Sequence, residues 1–288
     1  MSAGEATAQA IPRPRRLPPP LACIGLAIVA IGLIMALLGP FLARHGAGEL
    51  ISERPFPAAS WALPFGGDHL GRDVLSRLLH AAPVTIGLAL GATTVGFVIG
   101  LTVGFFTAEV RGNTDTMITW ILDILVSFPP KLIALIAIAG LGSSLPILIA
   151  TLGFVHAPRV ARVARAVAMN ISAMDFVEAA RARGESVLAV MVREIWPSAR
   201  RPMAVEFGLR VTFSILVLSS LSFLGLGVQP PMTDWGSMVR ENMSGIFLGT
   251  PAALIPALAI GILTVGINLV IDWIGGSSGR RLTEELSR

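Results

Sequence analysis

Residues 175–197 read DFVEAARARGESVLAVMVREIWP, a charged stretch that lies between two long apolar runs of the chain. Its apolar and small residues recur at intervals of three and four, the spacing of one helical face: Phe176, Val177, Ala180, Gly184, Val187, Leu188, Met191, Val192 and Ile195. The pattern predicts an amphipathic helical segment outside the membrane. Because long apolar runs cross a bilayer as helices, the chain is predicted to be a helical bundle with a structured loop on one side.

Local signals predict where this segment begins and bends. Asp175 is predicted to be the N-cap, with Glu178 three residues later in the position of a loose capping box. Gly184 is predicted to let the segment turn, since glycine adopts backbone conformations that other residues avoid.

The composition places the whole chain among membrane proteins. Its 288 residues are 53% hydrophobic and 14% charged, with a mean hydropathy of +0.75, which is too apolar for an ordinary soluble domain. A bilayer core of roughly 30 Å requires about 20 apolar residues as helix. Six runs meet this requirement without the alternating pattern of outer-membrane strands, and they predict an all-α membrane protein with six transmembrane helices: 21–43, 84–108, 117–141, 144–168, 203–224 and 251–274.

Arginine is unevenly distributed between the loops, which predicts the orientation of the chain. Arginines cluster near both termini and around Glu178, whereas the loops on the other side hold few. By the positive-inside rule, both termini and this loop lie in the cytoplasm, and the chain is multi-pass in a bacterial inner membrane. The predicted organisation is a disordered cytoplasmic tail at 1–20, an anchor helix at 21–43, an extracytoplasmic loop at 44–83, a five-helix core at 84–275 with its cytoplasmic loop at 169–202, and a cytoplasmic tail at 276–288.

The extracytoplasmic loop ends in a run with helical periodicity. Leu70, Val74, Leu75, Leu78 and Leu79 recur at helical spacing, while the charged residues between them point elsewhere. This pattern predicts an interfacial helix that lies on the membrane surface. Such a helix either rims the entrance of a translocation pathway or anchors the following span.

Two features inside the spans predict how the helices pack and break. Pro129-Pro130 in the third span is expected to break or kink the helix. The second span carries glycines at near-helical spacing, which allow helix backbones to approach closely in lipid: Gly87, Gly91, Gly96, Gly100 and Gly104.

Ionisable residues within the spans are candidate pathway residues. An ionised Asp at the bilayer centre costs about 2.5–3.5 kcal/mol on insertion scales. Asp123 and Lys131 should therefore lie near a span end, face water or protein, or find a partner. Each either contacts substrate or has a structural role, and a structural hydrogen bond is the favoured role of Asp123. Arg210 is expected to pair with Glu206, one helical turn away.

The sequence lacks the motifs of several chemistries. It contains no GxxxxGKS or GxxxxGKT phosphate-binding loop, no metal-ligand spacing and no Ser/His/Asp arrangement for hydrolysis. Its basic residues form no patch interleaved with aromatic side chains, which argues against nucleic-acid binding. The chain is therefore predicted to be non-catalytic, and any ATP that drives its work must bind another subunit.

The stretch at 175–197 carries a recognisable combination of residues. Glu178-Ala179-Ala180 is followed by Gly184, and Ile195 and Pro197 precede the next span. This combination resembles the EAA loop of permease subunits in binding-protein-dependent ABC importers. The resemblance implies a cytoplasmic coupling helix that docks in a groove of an ATPase subunit, and it implies these ATPase-coupling residues: Glu178, Ala179, Ala180, Gly184, Ile195 and Pro197.

Two further stretches resemble the permeases of dipeptide, oligopeptide and nickel importers. They read GGDHLGRDVLSRL at 66–78 and LSFLGLGVQPP at 221–231, which runs on to DWGSM at 234–238. The likeness implies the type I ABC importer permease fold and a pathway formed with a homologous permease subunit. It also implies two cytoplasmic ABC ATPase subunits that hold ATP and Mg, and an extracytoplasmic substrate-binding protein. No cofactor is expected on this chain, its surroundings are membrane lipid, and peptides are the family's commonest cargo.

Some residues depart from the family pattern, and other functions stay open. Arg183, Glu185 and Trp196 stand where these permeases usually have less charged residues or leucine, which leaves the preferred ATPase subunit open. Lys131 after Pro130 is also unusual. A stand-alone secondary transporter or channel would need more ionisable groups in its spans, and a membrane scaffold would need no ATP. A nickel chelate or another small solute is an alternative to peptide cargo.

Overall fold

The computed structural model describes residues 19–110 and 112–286, with side chains described as far as Gly276. Most of the predicted N-terminal tail, Arg111 and the side chains of 277–288 lie outside this description. The regular structure of the described residues is helical, which confirms the all-α class: α1 (Pro20–Leu42), α2 (Val74–Val110), α3 (Asn113–Ser127), α4 (Pro130–Leu141), α5 (Leu145–Ser172), α6 (Asp175–Ala182), α7 (Val187–Val190), a π-helical turn (Met191–Ile195), α8 (Trp196–Phe223), α9 (Trp235–Glu241), α10 (Met243–Phe247) and α11 (Leu254–Leu286).

The helix lengths are compatible with the predicted six spans. In the described chain, α1, α2, α5, α8 and α11 contain stretches long and apolar enough to cross a membrane, and α3 with α4 makes a sixth if this bent pair is one span. These two helices differ in direction by 84°. The break falls at Pro129-Pro130 as predicted, because proline lacks the backbone N–H that would continue α3. α8 begins at Trp196, before the predicted start at 203, and α11 continues to Leu286, past the predicted end at 274.

The backbones of α2 and α5 approach each other closely along several helical turns. A Cβ atom on Gly96, Gly100 or Gly104 would lie 2.4–2.6 Å from a backbone oxygen of α5, so only glycine fits this face. Gly87, on the same helix, has nothing within 4 Å of its Cβ position. The predicted close packing therefore holds for one face of α2 and not for every glycine of the series.

The loop before α2 differs from the predicted interfacial helix. Val74, Leu75, Leu78 and Leu79 form the first turns of α2 itself. Asp73 stands just before the helix and accepts a hydrogen bond from the backbone N–H of Ser76 at 3.0 Å. The apolar face of these turns packs against protein, because Leu78 is buried in a cluster with residues of α8, α9 and α11.

Candidate coupling site

The stretch at 175–197 folds into α6, α7 and the π-helical turn that leads into α8. Met174 is the N-cap of α6 and makes no side-chain cap bond, so the predicted capping box at Asp175 and Glu178 is wrong. Only two residues separate α5 from α6, and Asp175 is therefore already inside the helix. Gly184 has a φ of +79°, which confirms the predicted turn.

One face of this segment is packed against the ends of two spans. Val177, Ala180, Met191 and Ile195 are buried in a cluster with residues of α2 and α5. Ala180 and Ile195 were predicted to couple to an ATPase, but neither has accessible surface in this chain. Their contacts hold the segment to the membrane bundle, since buried apolar packing resists displacement.

The opposite face of the segment is exposed. The predicted coupling residues Glu178, Ala179, Gly184 and Pro197 lie there, together with some apolar side chains of the stripe that recurs at helical spacing. Phe176 is 42%, Leu188 67% and Val192 56% exposed. Contiguous apolar surface rimmed by charged residues is typical of a protein-binding site.

Arg181 joins the segment to α2 and α5 through a buried carboxylate. Its guanidinium donates to both oxygens of Glu109, with the shortest bond at 2.7 Å, and to the carbonyl oxygen of Ser172 at 3.0 Å. The Ser172 hydroxyl also donates to Glu109, whose side chain is only 3% exposed. Glu109 is not among the residues predicted from the sequence; an acidic residue at the end of an otherwise apolar span was the available signal.

The exposed face is therefore fixed on a rigid base that is continuous with the spans. A model of the family "Binding-protein-dependent transport system inner membrane component" matches residues 74–284, which is most of the chain. The chain belongs to this family. It is thus a permease, a multi-pass inner-membrane component of a transport system that works with a binding protein.

Individual relatives are similar over most of the permease. The Pectobacterium atrosepticum glutathione transport system permease protein GsiD is 32% identical over 86% of this chain and 81% of its own length. A Brucella suis protein, provisionally named a peptide transport system permease protein, is 32% identical over 91% of this chain and 88% of its own. GsiD of Escherichia coli O6:K15:H31 is 35% identical over 72% of this chain and 69% of its own.

The predicted polar residues of the permease spans lie apart from the coupling segment, in α3, α4 and α8. Asp123 accepts a hydrogen bond from Arg162 of α5 at 2.5 Å, which agrees with the structural role favoured for it. Arg210 donates to Glu206 at 2.6 Å, the predicted pair. Lys131 is exposed at the start of α4 and has no ion pair within the described residues.

On the other side of the permease, the motif at 66–78 forms a buried ion cluster with α9. Asp68 accepts from Arg72 at 2.7 Å and from Arg77 at 2.6 Å, and Arg77 also donates to Glu241 at 2.9 Å. Burial by itself would raise the pKa of Asp68, but backbone donation from Arg72 and the charge of Arg77 outweigh it and lower the pKa below 3.8. The motif therefore fixes the loop to the bundle.

The motif at 234–238 closes the same region. Asp234 caps α9 by accepting from the backbone N–H of Ser237 at 3.1 Å, and burial raises the pKa of this carboxyl group. Trp235 is buried, and its indole N–H donates to the carbonyl oxygen of Leu78 at 3.0 Å. α9 is thereby attached directly to the first turns of α2.

Proposed function

We propose that this permease is one of two membrane subunits that enclose the translocation pathway of an ATP-driven importer. Two ABC ATPase subunits bind its cytoplasmic face and hold ATP and Mg, and a binding protein delivers solute on the other side. Both termini lie in the cytoplasm in this proposal, which the arginine distribution supports. The cargo is a peptide or a related small solute such as glutathione, in line with the names of the relatives.

The observation that carries the proposal is the two-faced coupling segment. Its buried face is continuous with α2 and α5, and its exposed face presents apolar side chains beside Glu178. A segment that is rigidly joined to two spans transmits a displacement to them, whereas a flexible loop would absorb it. An ATPase that closes on ATP would therefore move the spans and open the pathway outward.

The residues divide into two roles in this proposal. Glu178 and Ala179 contact the ATPase, where the small Ala179 permits close approach and Glu178 accepts a charge-assisted hydrogen bond. Gly184 sets the angle between α6 and α7. Ala180 and Ile195 transmit the motion through their packing on the spans.

The test is ATP-driven uptake in proteoliposomes that contain the complete complex. Glu178→Ala should lower uptake by about tenfold or more, the worth of a charge-assisted hydrogen bond, with unchanged amounts of protein in the membrane. Gly184→Ala should act similarly, because alanine is strained at positive φ although nothing lies within 4 Å of its Cβ position.

Gly249→Ala is the matched control. Gly249 also has a positive φ, +71°, and open space at its Cβ position, but it lies outside the coupling segment. Full uptake in Glu178→Ala and Gly184→Ala would refute the coupling role. Uptake by the permease without ATPase subunits would instead favour a secondary transporter or channel.

A further inference from the structure

A series of ionisable side chains is spaced along α5, away from the coupling segment. His156, Arg159, Arg162 and Arg165 are spaced by three residues, so neighbouring members of the series lie side by side while the series winds around the helix. We call these four residues the α5 seam. Three of them have a hydrogen-bond partner on another helix, and the fourth does not.

His156, Arg162 and Arg165 are each joined to another helix. The Nε2 atom of His156 lies 2.7 Å from the hydroxyl of Ser214 on α8. Arg162 donates to Asp123 at 2.5 Å, and Arg165 donates to both oxygens of Asp115 at 2.6 and 2.7 Å.

Arg159 is the exception in the α5 seam. Its one hydrogen bond among the described residues is to the carbonyl oxygen of Val155, in its own helix, at 3.2 Å. Arg210 and Arg162 are close enough for their charges to repel it. Arg210 is already paired with Glu206, and Arg162 with Asp123. With the pair of Arg165 and Asp115, this region holds four guanidinium groups and three carboxylates. Arg159 therefore carries the unmatched charge.

This unmatched charge lies within a helix that is long and apolar enough to cross a membrane. Arg159 and Arg210 are each near the midpoint of a 28-residue helix, about 20 Å from either end at 1.5 Å per residue. A charge within a span is costly unless it faces water, protein or a ligand, and such residues mark substrate pathways in membrane proteins. Arg159 is only half-buried in this chain, so its guanidinium is open to a further partner.

We propose that Arg159, next to Arg210, binds a carboxylate group of the solute as it passes through the pathway. A guanidinium presents paired N–H donors that match the two oxygens of a carboxylate. Peptides and glutathione carry such groups. The site thus deepens the proposed function and rests on it: the permease itself, and not only the binding protein, favours solutes with a free carboxylate.

The experiment compares uptake of trialanine and trialanine amide by proteoliposomes that contain the complete complex, with each peptide at a concentration that saturates the binding protein. Arg159→Gln should lower the ratio of trialanine to trialanine amide uptake by about tenfold, since a charge-assisted bond is lost for one peptide only. Arg159→Lys should keep most of the ratio. Arg201→Gln, an exposed arginine at the cytoplasmic end of α8, should leave it unchanged.

A second measurement does not depend on the chosen peptides. In a Cys23→Ser background, which removes the single cysteine, Arg159→Cys should react with a charged, water-soluble methanethiosulfonate reagent when the complex is assembled. An unreactive cysteine would overturn the proposal, because the position would then lie in lipid or in a closed protein contact.

The other outcomes are equally decisive. An unchanged uptake ratio in Arg159→Gln would overturn the site. Loss of the second permease subunit from both Arg159→Gln and Arg159→Lys complexes would also overturn it, since the partner of Arg159 would then be an acidic residue of that subunit. Absence of ATP-driven uptake in the unaltered complex would instead refute the proposed function.

Discussion

Replacing Arg181 by alanine should loosen the coupling segment from the bundle. The change leaves the carboxylate of Glu109, 3% exposed, with Ser172 as its remaining donor among the described residues. Breaking a buried ion pair costs about 3–5 kcal/mol. Because Arg181 is itself 33% exposed, water replaces part of the lost interaction, and we expect a cost of about 2–3 kcal/mol.

Hydrogen exchange measures this cost directly. A loss of about 2–3 kcal/mol should raise the local opening of α6 by roughly thirtyfold to a hundredfold, and amide exchange in the purified complex should accelerate accordingly. Uptake should fall more than ATP hydrolysis, because a loosened segment transmits less of the ATPase motion.

Arg183→Ala is the control for this experiment. Arg183 also forms an ion pair, with Glu185 at 2.7 Å, but its side chain is 58% exposed. Exposed pairs contribute about 0–1 kcal/mol, so exchange in α6 should change by less than about fivefold. Equal acceleration in the two variants would refute the reasoning that the buried carboxylate fixes the segment.

Three further predictions concern the helix packing and the loop before α2. Gly100→Ala should destabilise the purified complex by about 1–3 kcal/mol in thermal unfolding, because its Cβ atom would lie 2.6 Å from a backbone oxygen. Gly87→Ala is the control and should leave the stability unchanged, because the Cβ position of Gly87 has nothing within 4 Å. Equal destabilisation by the two variants would contradict the packing argument. Arg77→Ala should cost about 3–5 kcal/mol and expose the loop to trypsin, since Asp68 would be buried with one cation fewer; an unchanged digestion pattern would count against it. The lowered pKa of Asp68 means that its contribution to stability is present above about pH 3.8 and is lost as pH falls through the lower folded-state pKa. Asp68→Asn should remove this part of the acid dependence of unfolding. The same loss of stability at low pH in the variant and the unaltered protein would be evidence against the cluster.

Local signals in the sequence were sufficient for the spans and their interruptions. Hydropathy located six apolar runs, and Pro129-Pro130 marked the break between α3 and α4 because proline cannot continue a helix. Gly184 marked a turn because positive φ favours glycine. Each of these features depends on neighbouring residues alone.

Contacts between elements that are distant in the sequence could not be predicted from the sequence alone. The pair of Glu109 and Arg181 joins residues 72 positions apart, and no local pattern indicates it. Gly100 and Gly87 have similar sequence surroundings, but only Gly100 faces α5. Helical periodicity placed the exposed Phe176 in one stripe with the buried Val177 and Ala180, because it cannot distinguish packing within the chain from a surface left for a partner.

The same limit explains why the N-cap of α6 was predicted at the wrong residue. Asp175 is a residue type that favours N-caps, yet the connection from α5 is so short that Met174 takes that position. It also explains the wrong prediction for the residues before α2 and in its first turns. Their helical periodicity was recognised correctly, but it was interpreted as a helix on the membrane surface. Leu78 is buried against elements that follow much later in the chain.

The central claim is that the exposed face around Ala179 is the contact with a nucleotide-binding subunit, and cysteine cross-linking tests it most directly. In a Cys23→Ser background, Ala179→Cys should cross-link to a co-expressed ATPase subunit that carries a cysteine in its docking groove, and ATP should change the yield. Ala59→Cys, exposed in the loop before α2 that the proposal places outside the cytoplasm, should give no such product. Labelling of Ala179→Cys by a membrane-impermeant reagent from outside the cell, with no cross-link to the ATPase, would contradict the account.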